Sequence, residues 1–192
     1  MARYTAIADV GNALVKLLRA HLVPEIIHNS NAIGLCNPSN RGDFIVGIYL
    51  YDVKEAEDIR VNMMISQSLN EEKYPPVHLS LYYMITVVSP GDVKFRSIEE
   101  QKILGKVVQT LHDYSCLDAE SLESVRVQKP MDITIKMQPL ELEEKMQIYQ
   151  VPNSGYQLSL YYKVTPVEIE SLKTRKTVRV MEVDFTVKEQ VE

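Results

Sequence analysis

The residues able to do acid–base or metal chemistry are scattered along this chain of 192 residues. The chain has four histidines: His21, His28, His78 and His112. No two of them have the H-x-x-x-H spacing that places two imidazoles on one helical face, and Cys36 and Cys116 are too far apart for a C-x-x-C pair. The sequence therefore predicts no zinc site and two free thiols rather than a disulfide framework.

Motifs for nucleophilic or phosphate chemistry are also missing from the sequence. The seven glycines form no G-x-G-x-x-G, no phosphate-binding loop and no G-x-S-x-G elbow. The adjacent carboxylates at 71–72, 99–100 and 143–144 are interpreted as solvated faces rather than acid–base pairs. We expect no enzyme and no cofactor. Two alternatives stay open: an enzyme with an unrecognised site around His78, His112 and Glu99, and a small cytosolic protein-binding module.

Composition and charge set the class of protein. The length and the 45% hydrophobic content predict one domain over residues 1–192 with a real core. The net charge of −5 gives no electrostatic footprint for nucleic acid. The longest apolar run, Phe44 to Tyr51, is too short to span a bilayer, and the first residues do not resemble a signal peptide. A cytoplasmic protein without membrane contact is the expectation.

Hydrophobic periodicity predicts an α+β fold in which two main helices pack on a mixed or antiparallel sheet. The main helices are predicted over Thr5–Leu22, with Thr5 as N-cap, and Ile98–His112, with Ser97 and Glu100 as a capping box; a short helix is predicted over Leu140–Tyr149. The predicted strands are Phe44–Val53, Val77–Val88, Val125–Met137, Tyr156–Ser171 and Thr177–Val187. Residues 54–76 are interpreted as a long connection, and 30–42 as a loop with a short strand at best.

Two features involve tyrosine. The chain has 11 tyrosines against 3 phenylalanines, and the tyrosines cluster in predicted strands. They are interpreted either as half-buried strand positions or as contacts to a neighbouring subunit. The stretch Leu79–Thr86 also resembles Leu158–Thr165, 79 residues later. Two central strands with the same packing needs would account for this echo.

The C-terminal region contains the candidate interface. Four basic residues form a predicted exposed loop: Lys173, Arg175, Lys176 and Arg179. In the following predicted strand, Met181, Val183 and Phe185 share one apolar face, so residues 177–192 could add a strand to a partner while the loop meets an acidic surface. The alternative is an ordinary internal strand preceded by an exposed loop.

Several stretches in order resemble one family. They are Ile48–Val53 followed by Arg60–Asn62, Tyr74–Pro76 leading into Leu79–Thr86, Glu99–Leu104, and Tyr156–Ser171. Together they resemble the N-terminal domain of cap, or tail-terminator, proteins of phage-tail-like extracellular contractile injection systems. The likeness covers most of residues 5–171. In the short helix near 140–149 many members have a tryptophan where this chain has Met146 and Ile148.

The resemblance implies a ring-forming structural protein with a fold similar to phage tail terminators. Such a cap closes the end of the inner tube and contractile sheath, usually as a hexamer. It would be cytoplasmic during assembly and then part of a released or cell-associated injection particle. Its expected partners are copies of itself and the tube and sheath proteins.

Overall fold

A computed structural model describes residues 4–57, 59, 63–68, 70–117, 132–150 and 155–176. The described residues belong to two compact units. The first lies within Met1–Arg60 and Val77–Glu170, and the second within Val61–Pro76 and Ser171–Glu192. The chain therefore passes between the units three times, after residues 60, 76 and 170.

Helices and strands alternate irregularly along the described residues, as expected for an α+β fold. In chain order they are α1 (Ala6–Leu22), β1 (Ile33–Leu35), β2 (Val46–Glu55), β3 (Ile65–Ser68), β4 (Glu71–Lys73), β5 (Val77–Val87), α2 (Val93–Asp113), β6 (Cys116–Leu117), β7 (Ile133–Met137), α3 (Leu142–Ile148), β8 (Ser159–Ile169) and β9 (Thr174–Lys176). Short 3₁₀ turns cover Ser30–Ala32 and Pro38–Asn40. Among the described residues, no helix is long and apolar enough to cross a membrane.

The first unit is built on a six-stranded sheet with the order β1-β2-β5-β8-β7-β6. β1 runs parallel to β2, and every other neighbouring pair is antiparallel. The strands β5 and β8, 11 residues each, lie side by side at the centre. Two register shifts, one in the β2–β5 ladder and one in the β5–β8 ladder, mark bulges that bend the sheet.

Helices α1 and α2 cover one face of this sheet. α1 buries Val10, Leu14 and Leu18, which belong to its predicted apolar stripe, and α2 buries Leu104 and Val107. These side chains join one core cluster with alternate residues of the strands, because successive strand side chains point to opposite faces. The strand members of the cluster include Ile48, Leu81, Tyr83, Ile85, Tyr162 and Val164.

The beginning of α2 differs from the sequence-based expectation. The helix starts at Val93, five residues before the predicted Ile98, and its N-cap is Asp92, whose side chain accepts a hydrogen bond from the Lys94 backbone N–H at 3.0 Å. Ser97 therefore lies inside the helix, and the predicted capping box at Ser97 is wrong. The capping box in the described chain is instead formed by Glu141 and Glu144 at the start of α3.

The strand predictions that fall on described residues are confirmed in position, with ends that shift by a few residues. The described part of the predicted strand 125–137 is β7, and the predicted strand 156–171 shortens to β8. Residues 125–131 and the predicted strand Thr177–Val187 lie outside the described residues. Thr5 is the N-cap of α1 by position, but its side chain makes no capping hydrogen bond.

The second unit contains strands that the sequence did not reveal. β3, β4 and β9 form an antiparallel three-stranded sheet in that order. The predicted connection 54–76 thus contains two strands, and the predicted basic loop contains β9. The backbone N–H of Tyr74 donates to the Lys173 carbonyl at 3.0 Å, which extends the β4–β9 pairing by one bond.

The close approach of Gly47 to Cys36 gives a test of the β1–β2 edge. A Cβ at residue 47 would lie 2.6 Å from the Cys36 sulfur and 3.2 Å from the Thr86 hydroxyl oxygen. We predict that Gly47→Ala lowers the free energy of unfolding by about 1–3 kcal/mol through overpacking. Adding Cys36→Ala should restore most of this loss, as measured by urea denaturation.

The matched control is Gly105→Ala in α2, where an added Cβ meets no atom within 4 Å. Alanine stabilises a helix relative to glycine by about 1 kcal/mol, so this variant should be more stable than the wild type. Equal stability of Gly47→Ala and the wild type would contradict the described packing at the sheet edge.

Candidate interaction surface

The described part of the predicted interface lies in and beside β9. Lys173, Arg175 and Lys176 are all exposed, in agreement with the predicted solvated segment. The backbone there is a strand rather than a loop, because Thr174–Lys176 pairs with β4. β9 is an edge strand of the described three-stranded sheet, so one side of its backbone is unpaired within that sheet.

Two of the three basic side chains in this segment are engaged inside the unit. The Arg175 guanidinium lies 3.2 Å from the Glu72 carboxylate, its register partner on β4. The Lys173 ammonium lies 4.5 Å from the centre of the Tyr74 ring, a cation–π contact. Lys176 is the register partner of Glu71 and makes no ion pair within the described residues.

The acidic residues of β4 are the part of this surface that sequence reasoning missed. Glu71 and Glu72 were interpreted only as a solvated face, yet they lie directly across from Lys176 and Arg175. Two glutamates opposite two basic residues are typical of paired strands. The two pairs lie more than 100 residues apart in sequence, so this pattern cannot be recognised from neighbouring residues. The remaining predicted interface residues, Arg179, Met181, Val183 and Phe185, lie outside the described residues.

The tyrosines of the first unit divide between the two faces of its sheet. Tyr83 and Tyr162 belong to the core under α1 and α2. Their chain neighbours Tyr82 and Tyr161 therefore face the opposite side. There Tyr161 is buried and donates its hydroxyl to the Lys145 carbonyl of α3 at 3.1 Å, so α3 lies on this second face.

The tyrosine ring contacts form two groups, one around Tyr51 and one between Tyr149 and Tyr156. Tyr51 lies 5.8 Å from Tyr161 and 6.1 Å from Tyr82 between ring centres, and Tyr149 lies 5.7 Å from Tyr156. Burial, helped by the nearby charges of Asp52, Tyr82 and Glu144, raises the pKa of Tyr51 to about 12. These rings are packed against one another and against α3, which favours the half-buried interpretation for this group.

The echo in the sequence corresponds to neighbouring strands. Its two halves lie in β5 and β8, which are adjacent and antiparallel, and Tyr83 is the register partner of Tyr162. These two tyrosines are also the equivalent residues of the two repeats. The two central strands face the same core and the same second face, which agrees with the interpretation that shared packing needs produced the likeness.

A cleft of about 820 Å³ lies beside α2 in the first unit. Ile26, Ile45 and Ile103 contribute apolar walls. At its rim the Ser89 hydroxyl donates to the Glu99 carboxylate, and the Lys106 ammonium lies 3.5 Å from the Glu25 carboxylate. Glu99 thus lines the cleft with a carboxylate that is hydrogen-bonded to the turn that precedes α2.

The residues of the enzyme alternative do not converge. Glu99 and His112 lie at opposite ends of α2, about 20 Å apart at 1.5 Å per residue. His78 is buried on the second face of the sheet, away from α2, where its Nε2 lies 3.6 Å from the Glu168 carboxylate. Within the described residues these three groups cannot act on one substrate together.

The cysteines and the metal-ligating residues also lack a shared site. Burial raises the pKa of the Cys36 thiol, which opposes formation of the nucleophilic thiolate; Arg41 offsets the effect only partly. Both cysteines are free thiols, as the sequence predicted. In the described part of the chain, no three histidine, cysteine, aspartate or glutamate side chains are grouped as metal ligands.

Comparison with known proteins identifies the family. Residues 9–182 match the model of the Pvc16 N-terminal domain, so the chain belongs to that family. The fold is similar to the sheath/tube terminator of the extracellular contractile injection system PVC, with a TM-score of 0.63, 19% identity, and coverage of 96% of this chain and 64% of that one. It is also similar to the tube-terminating cap of the anti-feeding prophage, with a TM-score of 0.64, 23% identity, and coverage of 94% and 61%.

The family match confirms the terminator family that the sequence resembled, and the fold likeness confirms the α+β class. The chain spans less than two thirds of the length of either solved structure. No curated protein matches the sequence.

Proposed function

We propose that this protein is the cap of a phage-tail-like contractile injection particle, where it ends the growth of the inner tube and of the contractile sheath. The family match over residues 9–182 carries this proposal. The described residues agree with it in one respect: they bring no set of catalytic groups together around the cleft or the histidines. In this proposal the chain has a structural role without enzymatic activity or cofactor, and residues 1–192 act as one cap domain.

The cap stops growth because it fits a surface that every newly added tube or sheath subunit exposes, yet offers no equivalent surface beyond it. Strand addition is a direct way to make such a fit, since main-chain hydrogen bonds supply affinity. An exposed strand edge would also recruit further chains, so a cap must block the edges it does not use. At β1 the Arg19 guanidinium donates to the Ile33 carbonyl from two nitrogens, at 3.1 and 2.6 Å, and occupies that position of the edge.

The partners follow from this role. The cap forms a homo-oligomeric ring, a hexamer in our proposal, that sits on tube and sheath proteins of the same particle. Assembly takes place in the cytoplasm, before the particle is released or becomes cell-associated. Neither nucleic acid nor a membrane is part of this assembly.

The contact to tube or sheath is formed, in our proposal, by the edge of β9 with Lys176 and by the apolar face of Met181, Val183 and Phe185. Lys176 is the basic residue best suited to an acidic partner, because it makes no ion pair within the described residues. Arg175 is a weaker candidate, since Glu72 already holds its guanidinium. Among the described residues, the proposed surface thus combines strand pairing with the ammonium of Lys176, which makes no ion pair there.

We predict that Lys176→Glu yields a folded protein that no longer caps particles. The substitution reverses the charge of an exposed side chain and sets it opposite Glu71, so the melting temperature should fall only slightly. Particles assembled with this variant should be uncapped or variable in length in electron micrographs. Removal of residues 178–192 should have the same effect on capping.

The matched control is Lys136→Glu, which reverses an equally exposed lysine on β7 of the first unit. Particles with this variant should keep uniform length. Uniformly capped particles with Lys176→Glu would contradict the role of the charge, and a folded, truncated protein that still caps would contradict the role of residues 178–192. Failure of the wild-type chain to associate with tube or sheath ends would overturn the proposed function itself.

A further inference from the structure

Two helices of the first unit expose paired apolar side chains. On α2, Phe95 and Ile98 are 59% and 55% exposed, and on α3, Leu142 and Met146 are 59% and 53% exposed. The members of each pair are three or four residues apart and therefore lie next to each other on the helix surface. Contiguous exposed apolar surface of this kind is a feature of association sites.

The two apolar pairs lie on opposite faces of the six-stranded sheet. α2 buries Leu104 and Val107 in the core on the first face, together with Tyr162 of β8. α3 is held on the second face, where its Lys145 carbonyl accepts the hydroxyl of Tyr161, the neighbour of Tyr162. One copy of the chain therefore carries one apolar pair on each side.

The charges around the two pairs are complementary. On α2, Lys94 and Lys102 lie one turn before and one turn after Ile98, and neither is ion-paired within the described residues. On α3, the three glutamates Glu141, Glu143 and Glu144 are exposed and outnumber the single Lys145, so this patch carries a net negative charge. Two α2 patches would oppose lysine with lysine, and two α3 patches would oppose two net negative surfaces. The pairing of α2 with α3 brings the lysines of one patch against the net negative charge of the other.

We propose that the α2 patch (Lys94, Phe95, Ile98 and Lys102) of one copy binds the α3 patch (Glu141, Leu142, Glu143 and Met146) of the next. The contact uses two different surfaces of each subunit, so it is head-to-tail, and copies joined in this way close into a ring when the rotation between them permits. The closure of the copies into a ring rests on the proposed function. The contact between two copies does not, because it forms without tube or sheath proteins.

The test uses two charge-reversed proteins and measures mass by light scattering during size-exclusion chromatography. In the first, Lys94→Glu and Lys102→Glu make the α2 patch acidic. In the second, Glu143→Lys and Gln147→Lys make the α3 patch basic and leave the capping box of Glu141 and Glu144 intact. The wild type should assemble at high concentration, and each variant alone should be monomeric.

Mixing the two variants should restore assembly. The acidic α2 patch of the first protein then meets the basic α3 patch of the second. The unchanged basic α2 patch of the second protein meets the unchanged acidic α3 patch of the first. The two variants therefore alternate in the assembly. Recovery in the mixture shows that both variants are folded. A monomeric wild type, assembly of either variant alone, or folded variants that stay monomeric when mixed would each overturn the proposal.

The apolar contribution is tested separately with Ile98→Ala and Met146→Ala. Each should raise the dissociation constant of self-association about tenfold, because losing one apolar side chain at the centre of a contact costs about 1.4 kcal/mol of binding free energy. The melting temperature of the monomer should stay the same, because both side chains are exposed. Unchanged association of both alanine variants would overturn the proposed contact. Loss of capping with intact self-association would instead contradict the proposed function and leave this interface standing.

Discussion

Leu104→Asp is expected to unfold most of the protein at neutral pH. The Leu104 side chain is 7% exposed and packs in the core between α2 and the sheet. The substitution removes the apolar contacts of a buried leucine, which alone costs about 2–5 kcal/mol, and leaves a carboxylate without a partner in an apolar site. This sum is comparable to the whole stability of a typical domain, about 5–15 kcal/mol. Circular dichroism during heating measures the effect.

Gly105→Asp places the same carboxylate one residue further along α2, on the solvent side, where an added Cβ meets no atom within 4 Å. This control should melt within a few degrees of the wild type, because aspartate is at least as good a helix former as glycine. If both variants melt like the wild type, the assignment of the buried face of α2 is wrong.

The second large effect is a loss of stability at alkaline pH. Burial raises the pKa of Tyr162 to about 12, and it also raises the pKa values of Tyr83 and Tyr161. In the unfolded chain tyrosine titrates near pH 10, so the folded state binds more protons between about pH 10 and 12. The stability that these tyrosines contribute is therefore fully present below about pH 10 and falls as pH rises through that window.

At Tyr162, which is 4% exposed, the difference between about 10 and about 12 corresponds to roughly 3 kcal/mol. We predict that Tyr162→Phe flattens the alkaline loss. It should also leave stability at pH 7 unchanged or slightly raised, because the buried hydroxyl has no hydrogen-bond partner within the described residues. The measurement is the melting temperature as a function of pH.

Tyr4→Phe serves as the control, since Tyr4 is 87% exposed and folding does not dehydrate its hydroxyl. It should follow the wild-type curve at every pH. If the melting temperature of Tyr162→Phe falls at alkaline pH as much as that of the wild type, the hydroxyl of Tyr162 does not contribute to the loss of stability.

The sequence predicted the elements whose side chains face the core. The four-residue spacing of Val10, Leu14 and Leu18 indicated α1, and the long apolar stretches indicated β2, β5 and β8, whose side chains on one face join the core. The sequence did not predict the start of α2 at Val93, because Phe95 and Ile98 face solvent and do not extend the apolar stripe that faces the core. The S-x-x-E pattern at Ser97 then suggested a helix start that Asp92 provides instead.

The second unit could not be predicted from local pattern. Its strands are three or four residues long, and β3 and β9 are exposed throughout, so they lack the apolar alternation by which strands are recognised. β9 pairs with β4 across about 100 residues of chain, and no short-range signal reports such a pair. The sequence thus marked Lys173, Arg175 and Lys176 as exposed cations but not the acidic strand beside them.

The route of the chain between the two units has a mechanical consequence. After residue 76 the chain enters β5 at Val77, and it leaves β8 at Ile169, the register partner of Val77. The earlier passage follows β2, whose last residue, Glu55, pairs with Leu79 near the same end of β5. A pull on the second unit is therefore delivered to neighbouring ends of three adjacent strands. The load is thus shared among three hydrogen-bonded strands of the central sheet instead of falling on one of them.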